Sequence, residues 1–222
     1  MKLYVDPGSG SCRRVSAVIE TLGMNVEEVY IDLLSGANRT PAFLAINPNG
    51  MVPVLVDGDL VLWEAAAIMI YICEKSGDTR LLPTGNDRYE VLRWMFWAAE
   101  HFRQAPPMLL EERLFSLFVG QAADETRIAE AQRRIERFAP ILDAHLEHRN
   151  YVVGDSITLA DFDLAAPLSH MARANMRFDA YPNIIRWKDR LEEEISAWKK
   201  VGDRLHERMD KAITDAGIIL AS

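Results

Sequence analysis

The chain has 222 residues, of which 49% are hydrophobic and 26% charged, a composition typical of a globular protein and unlike that of a disordered or fibrous one. Its 25 basic and 33 acidic side chains give a net charge of −8 at pH 7, which repels phosphate backbones and argues against a nucleic-acid partner. At about 150 residues per domain, the length allows one large domain or two small ones.

Cysteine content and apolar runs bear on the cellular compartment. Two cysteines, Cys12 and Cys73, are too few for a disulfide framework, and neither belongs to a CxxC or CxxH pair. The N-terminal segment Met1–Asp6 reaches an acidic residue before an apolar signal core can form. The longest apolar run, Ala65–Cys73, is far shorter than the ~20 residues that span a bilayer. We therefore expect a cytoplasmic protein without a membrane partner.

The N-terminal part of the chain alternates between strand and helix patterns. A Gly or Pro punctuates most of the boundaries, and Asp57-Gly58 is a two-residue hairpin link. The predicted elements, in the order βαβαββα, are strands over Lys2–Val5, Val26–Ile31, Val52–Val56 and Leu60–Leu62 and helices over Cys12–Leu22, Pro41–Ile46 and Glu64–Lys75.

The rest of the chain shows only helical patterns. Residues 77–86 (GDTRLLPTGN) have the composition of a linker, and Pro106-Pro107 is expected to break or kink the first long helix. The predicted helices cover Asp87–Arg103, Glu111–Gly120, Asp124–Leu146, Thr158–Ala174, Asn183–Glu194 and Trp198–Ala216. We predict an α/β domain over residues 1–76, a linker over 77–86 and an all-helical domain over 87–222.

The turn between the first strand and the first helix is a candidate site for an anion. A helix that begins near Cys12 directs unpaired N–H groups and the positive end of its dipole at Pro7–Ser11, and Ser9 and Ser11 add hydroxyl donors. The functional interpretation is a thiolate or oxyanion site, and the alternative is N-capping by a serine. Cys12 is either a reactive thiol at a helix start or a small buried side chain.

The segment from Asn47 to Ala66 is the second candidate. If Val52–Pro53 is a cis peptide, the Val52 backbone N–H and C=O are free to pair with an extended peptide. Glu64 follows a strand and opens a helix, where an acid either compensates the dipole or binds a ligand. The five histidines lack the spacing of metal ligands, so we expect no metal.

Several motifs together resemble the cytosolic glutathione S-transferases. Residues 7–13 (PGSGSCR), 47–55 (NPNGMVPVL) and 62–68 (LWEAAAI) are similar to that family's thioredoxin-like half. In the helical half, residues 157–162 (ITLADF) look like its capping box and staple. Residues from Tyr181-Pro182-Asn183 through Trp187, together with Ala197-Trp198, resemble its C-terminal signature. The resemblance covers nearly the whole chain and is nearest to bacterial-type members with a serine-type, theta- or delta-like site.

The resemblance implies a fold and a function. The fold is an α/β, thioredoxin-like N-terminal domain followed by an all-α helical bundle. The implied activity is conjugation of glutathione, the co-substrate, to a small hydrophobic electrophile that binds in a pocket of the helical domain. Ser9 matches the serine that donates to the glutathione thiolate, Val52 the residue that pairs with the cysteinyl backbone, Pro53 the cis-proline and Glu64 the acid that holds the γ-glutamyl group.

Three positions depart from the family pattern. Ala65 stands where a serine hydroxyl usually holds the γ-glutamyl carboxylate, so only its backbone N–H remains. Ala66 and Gly50 stand where serine-type members often place basic or imidazole groups on the glutathione carboxylates. Arg39 and Arg13 are the candidate replacements, with Arg39 expected at the glutathione site.

Two alternatives and an assembly state remain open at this stage. A glutathione-dependent disulfide reductase or peroxidase is disfavoured because Ser9–Cys12 keeps only the second cysteine of a thioredoxin-type pair. A non-catalytic interaction module also remains an alternative, because Ala65 replaces the serine that usually holds the γ-glutamyl carboxylate. The family resemblance, together with the apolar content of Glu64–Lys75 and Asp87–Arg103, predicts a homodimer with each glutathione site near the subunit boundary.

Overall fold

A four-stranded sheet organises the N-terminal half in the computed structural model, which describes residues 1–220; the last two residues of the predicted helical domain, 221 and 222, lie outside the described residues. The strand order is β2-β1-β3-β4, with β1 parallel to β2 and antiparallel to β3, and with β3 and β4 forming a hairpin. The strands are β1 (Lys2–Val5), β2 (Glu27–Tyr30), β3 (Val54–Asp57) and β4 (Leu60–Trp63), and the helices between and after them are α1 (Gly10–Thr21), α2 (Pro41–Leu44) and α3 (Ala65–Ser76). The predicted order βαβαββα is confirmed.

The β3–β4 hairpin differs from its prediction by one residue. Asp57 pairs with Leu60, so the two-residue link is Gly58-Asp59 and not Asp57-Gly58. Gly58 then occupies the first central position of the turn with φ 59°, a conformation that glycine adopts without the Cβ penalty of other residues.

The remainder of the described chain is helical, as predicted. Its helices are α4 (Gly85–Glu100), α5 (Ala105–Leu110), α6 (Ser116–Phe118), α7 (Glu125–His145), α8 (Leu159–Ala165), α9 (Pro182–Glu194) and α10 (Ser196–Asp215). A π-helical turn over Glu111–Phe115 joins α5 to α6. Among residues 1–220, no helix combines the length and the apolarity that a membrane span requires.

Three helix boundaries in the helical half differ from the predicted ones, and a proline accounts for the third. The first long helix starts at Gly85, within the predicted linker, and breaks at His101. Pro106 and Pro107 do not break it but lie in the first turn of α5, where a missing N–H costs nothing. The helix predicted over Thr158–Ala174 ends at Ala165, and Pro167 lies in the tighter 3₁₀ turn that follows, because proline cannot donate the next helical hydrogen bond.

Buried polar contacts fix the helical half around α8. The predicted capping box is confirmed: Asp161 Oδ2 accepts the Thr158 backbone N–H at 2.9 Å. The same carboxylate accepts the Val152 N–H at 2.8 Å and the Trp187 indole N–H at 3.0 Å. Asp161 is fully buried, so these donors offset the cost of taking its charge out of water.

Helix α10 holds the two halves of the protein together. Three basic residues, spaced four apart along one face, pair with acids of the α/β half: Lys200 with Glu20, Arg204 with Glu28, and Arg208 with Asp32. Residues four apart share one helix face. The α/β half and α10 therefore meet beside the turn between β1 and α1, where the candidate site lies.

Candidate active site

The turn between β1 and α1 presents the hydroxyl of Ser9. Ser9 is the N-cap of α1, and its Oγ accepts the Cys12 backbone N–H at 3.4 Å. The hydroxyl hydrogen remains available, because accepting a hydrogen bond uses only a lone pair. The N–H groups of Gly10 and Ser11 have no acceptor within residues 1–220, as expected at a helix start. Capping and donation to an anion, which the sequence left as alternatives, are therefore compatible in one side chain.

Both halves of the protein hold this turn in place. The buried Asp6 carboxylate accepts the Gly8 N–H at 2.8 Å and the Leu33 N–H at 3.0 Å. From the helical half, His170 Nε2 lies 2.9 Å from the Gly8 carbonyl oxygen. A Cβ at Gly10 would lie 2.7 Å from the Ala166 carbonyl oxygen, so only glycine permits this approach.

Cys12 does not contribute a reactive thiol to the site. Its side chain is 1% exposed, and it lines neither of the two cavities described next. Burial raises the pKa of the Cys12 thiol to about 12, so a thiolate is disfavoured at neutral pH. Of the two interpretations of Cys12, the structure supports the buried side chain.

An apolar cavity of about 190 Å³ opens beside Ser9. The α/β half contributes Ser9, Ser11 and Asp6, and α10 contributes Arg208. Its apolar walls, most of them from the helical half, are Leu33, Leu34, Pro107, Leu110, Phe115, Ala166, Pro167 and Met209. This is the kind of pocket that the sequence analysis expected the helical domain to supply.

An interdomain cleft of about 420 Å³ lies on the other side of Ser11. It brings together four of the predicted site residues, Val52, Pro53, Glu64 and Ala65. Its other lining residues are Ser11, Arg14, Asn47, Met51 and Ala66 from the α/β half and Ala99, Arg103 and Gln104 from the helical half. The Val52–Pro53 peptide is cis, and the Val52 backbone forms no hydrogen bond with another described residue.

Glu64 has an unusual backbone conformation at the edge of this cleft. It lies at φ 71° and ψ 108°, directly before α3, and its side chain does not cap the helix. A non-glycine residue there costs about 1–3 kcal/mol and is most often found at functional sites. The exposed Glu64 carboxylate has no hydrogen bond or ion pair in the described chain. It is therefore free to bind a cationic group in the cleft.

The two arginines considered as carboxylate ligands lie in different environments. Arg13 is not available, because it is 1% exposed, pairs with Glu192 at 2.7 Å and stacks on Trp198 with 3.7 Å between the guanidinium carbon and the ring centroid. Arg39 is exposed and lines neither cavity. Its Nη1 lies 2.9 Å from the position of a Cβ on Gly50, next in sequence to the cleft residue Met51.

A buried cluster of Arg14, Asp163 and Arg103 is the part of the site that the sequence analysis missed. Arg103 Nη2 donates to Asp163 Oδ2 at 2.9 Å, and Arg14 Nη1 contacts Asp163 Oδ1. Asp163 is fully buried, whereas Arg14 and Arg103 both reach the cleft. The available signal was the pair of aspartates in the apolar stretch LADFDLA (159–165): the capping box accounts for Asp161, but nothing local neutralises Asp163.

In the part of the chain that the structure describes, no three His, Cys, Asp or Glu side chains are grouped so that they could hold a metal ion.

Comparisons with known proteins point to one family in both halves of the chain. Residues 1–74 match the family model described as Glutathione S-transferase, N-terminal domain, and residues 106–194 match Glutathione S-transferase, C-terminal domain. Glutathione S-transferase 3 of Zea mays is 36% identical over 163 residues, which are 72% of this chain and 73% of the maize protein.

Solved structures are similar in fold. Glutathione transferase F7 from Populus trichocarpa superposes with a TM-score of 0.84 at 27% identity, over 92% of this chain and 98% of that one. Glutathione S-transferase-I bound with lactoylglutathione superposes with a TM-score of 0.79 at 27% identity, over 91% of this chain and 98% of that one.

Proposed function

The chain belongs to the glutathione S-transferase family, and we propose that it is a glutathione transferase that joins the glutathione thiolate to small apolar electrophiles. One observation carries this proposal. The interdomain cleft and the apolar cavity share Ser11 and Arg103 in their linings, and Ser9 lies at the same turn. A peptide thiol in the cleft and an apolar electrophile in the cavity would meet there.

The cleft offers complementary groups along an extended tripeptide. The free Glu64 carboxylate suits the γ-glutamyl ammonium, and the Ala65 backbone N–H suits the neighbouring carboxylate. The unpaired backbone of Val52, next to cis-Pro53, suits the cysteinyl N–H and C=O. Arg39, beside Gly50, is the proposed partner of a second carboxylate. These assignments place the thiol toward α1.

Ser9 and α1 would then activate the sulfur. The Ser9 hydroxyl donates to the thiolate, and the start of α1 adds the positive end of its dipole, so the ionised thiol is favoured at neutral pH. The thiolate lone pair forms the new S–C bond. The electron pair of the bond that breaks leaves with the departing group or, in an addition, moves onto an electron-withdrawing group that is later protonated.

Finer predictions remain proposals. A serine-type site is supported by Ser9 at the cavity and by the burial of Cys12; the bacterial, theta- or delta-like subtype rests on sequence motifs alone. A cytoplasmic location is supported by two unpaired cysteines. A homodimer is supported by exposed apolar side chains on α4 and β4, considered below.

The proposed function is tested by thioether formation from glutathione and a nitro-activated aryl halide, followed by absorbance and mass spectrometry. We expect Ser9→Ala to lower kcat/KM about ten- to hundredfold, the range of one charge-assisted hydrogen bond, and Cys12→Ala to change it little. Ser11→Ala is the matched comparison, since it removes a hydroxyl two residues away.

Other outcomes select other functions. A larger loss in Ser11→Ala than in Ser9→Ala would move the donor role to Ser11. Loss of activity in Cys12→Ala, with disulfide reduction in the native protein, would favour the reductase. Failure of the protein to be retained on immobilised glutathione would favour the non-catalytic module.

A further inference from the structure

Arg103 occupies the boundary between the two cavities. It lies in the short 3₁₀ turn Phe102–Gln104 that follows α4, and it lines both the interdomain cleft and the apolar cavity. The side chain is 17% exposed, so its charge is only partly screened by water. Among the residues that line both cavities, it is the charged one, the other being Ser11.

The cluster that contains Arg103 carries one net positive charge. Arg103 and Arg14 share the single carboxylate of Asp163, with Arg103 Nη1 3.3 Å from Oδ1 and Nη2 2.9 Å from Oδ2. Burial raises the pKa of the Asp163 carboxyl, and the Arg14 guanidinium opposes that rise. Two guanidinium groups on its oxygens favour the charged form of Asp163, and a single carboxylate can carry at most one negative charge. One carboxylate then neutralises only one of the two arginines.

The other ionisable groups of the apolar cavity do not supply a free cation. Arg208 Nη2 lies 2.7 Å from Asp32, and Arg208 Nε lies 3.6 Å from Asp6. His170 is neutral near pH 7, since burial lowers its pKa to about 4. In the cleft, the other charged side chains are Arg14, which pairs with Asp163, and Glu64, which lies beside Ala65 and Ala66 at the γ-glutamyl end of the proposed tripeptide.

We propose that Arg103 is a second catalytic residue, whose guanidinium stabilises negative charge on the glutathione sulfur and on the electrophile as the S–C bond forms. The proposal rests on the proposed transferase function. During the step, the sulfur lone pair becomes the S–C bond and the displaced electron pair moves to the leaving or electron-withdrawing group. Negative charge therefore moves from the sulfur in the cleft to the electrophile in the cavity. Because Arg103 lines both, the same cation stays close to the charge throughout.

The test is the ionisation of glutathione bound to the full-length protein, followed by the ultraviolet absorbance of the thiolate as pH is varied. We expect Arg103→Gln to lower the acid ionisation constant of the bound thiol about tenfold or more. Arg103→Lys should restore most of that loss because it keeps the charge. Arg190→Gln is the matched control: it removes a guanidinium whose partner is Glu194 on the outer side of α9.

The variants are expected to fold, since Arg103→Gln leaves the Arg14–Asp163 pair intact, and unfolding curves would verify this. A purely structural role for Arg103 predicts loss of stability or of glutathione affinity with an unchanged thiol ionisation constant, and that result would overturn the proposal. An equal shift in Arg190→Gln would also overturn it. If the native protein binds no glutathione, the proposed transferase function is wrong. If the native protein binds and conjugates glutathione, and the bound thiol has the same ionisation constant in Arg103→Gln, only the proposed role of Arg103 is wrong.

Discussion

Ala65 shows how one side chain can tune affinity for glutathione. It is buried at the first position of α3, where serine is tolerated near a helix start. We expect Ala65→Ser to tighten glutathione binding by up to about 1.5 kcal/mol, or roughly tenfold, by adding a hydroxyl donor to the γ-glutamyl carboxylate. Titration calorimetry measures the change. Ala67→Ser is the matched control, since Ala67 does not line the cleft.

Glu64 should act on binding and not on the chemical step. Its carboxylate is proposed to hold the end of glutathione far from the sulfur, so Glu64→Ala should raise the Kd while leaving kcat at saturating glutathione nearly unchanged. Equal losses of affinity and of kcat would contradict this role for Glu64.

For the Ala65→Ser variant described above, weaker or unchanged glutathione binding would mean that the γ-glutamyl carboxylate has another partner.

At the level of residues, the sequence motifs indicated the groups that lie close together along the chain. Ser9, Val52, Pro53, Glu64 and Ala65 are all in short motifs, and the structure places them at the two cavities or the turn between them. Arg103 could not be predicted in this way, because its partner Asp163 is 60 residues away. Arg13 was wrongly considered for the site, because its partner Glu192 is 179 residues away.

Between elements, the burial of His170 between the helical half and the β1–α1 turn makes the fold sensitive to acid, although its hydrogen bond to Gly8 opposes the effect. Burial, followed by the charge of Arg173, lowers the pKa of His170 to about 4, whereas an unfolded histidine titrates near 6.5. Between these values the unfolded state binds the additional proton, so the free energy of unfolding decreases as pH falls from about 6.5 toward 4. Over this whole pH interval, the free energy of unfolding decreases by about 3 kcal/mol.

The pH effect is measured by urea unfolding at pH 7.5 and pH 5. We expect His170→Asn to lose less stability than the native protein over this interval, because asparagine does not titrate. His206, whose pKa is also lowered by burial, keeps part of the dependence. His148→Asn is the control, since the His148 side chain is 89% exposed. A native-like pH dependence in His170→Asn would show that the burial of His170 does not control stability in acid.

Observed helix ends agree with the predicted ones where a capping residue sets them, and differ from the prediction where prolines lie near the boundary. Ser9 caps the start of α1, and Gly23, at φ 62°, follows its end, positions that serine and glycine favour. The prolines of residues 106–107 are compatible with either a helix break or a helix start, and only the packing of α5 places them in its first turn. The helix predicted over residues 158–174 is shorter in the structure because Pro167 cannot donate the next helical hydrogen bond.

For the whole molecule, the apolar side chains of α4 and β4 support the proposed homodimer. Tyr89 and Phe96, seven residues apart on one face of α4, are 70% and 66% exposed, and Trp63 on the edge strand β4 is 42% exposed. Met51, which lines the cleft, is 62% exposed. Exposed apolar side chains of this size typically mark an interface, and an interface that includes Met51 would border the glutathione site.

Light scattering at low micromolar concentration should give about twice 25.1 kDa for the native protein. The double variant Tyr89→Glu/Phe96→Glu should give the monomer mass, because it places like charges at the centre of the proposed interface. Ile141→Glu is the matched control on α7, where Ile141 is 48% exposed. A monomer mass for the native protein would contradict the proposed homodimer, and these exposed side chains would then require another partner.

The sequence by itself determined the order of the elements, the all-helical second half, the serine-bearing turn and the cleft motifs, because periodicity, caps and short motifs depend on neighbouring residues. Only the tertiary structure decided which charges meet. Asp163 is neutralised by arginines from α1 and from the turn after α4, and the cleft joins the apolar cavity at Ser11 and Arg103. A buried charge must be paired wherever the fold supplies a partner, and nothing in the spacing along the chain says which distant residue that will be.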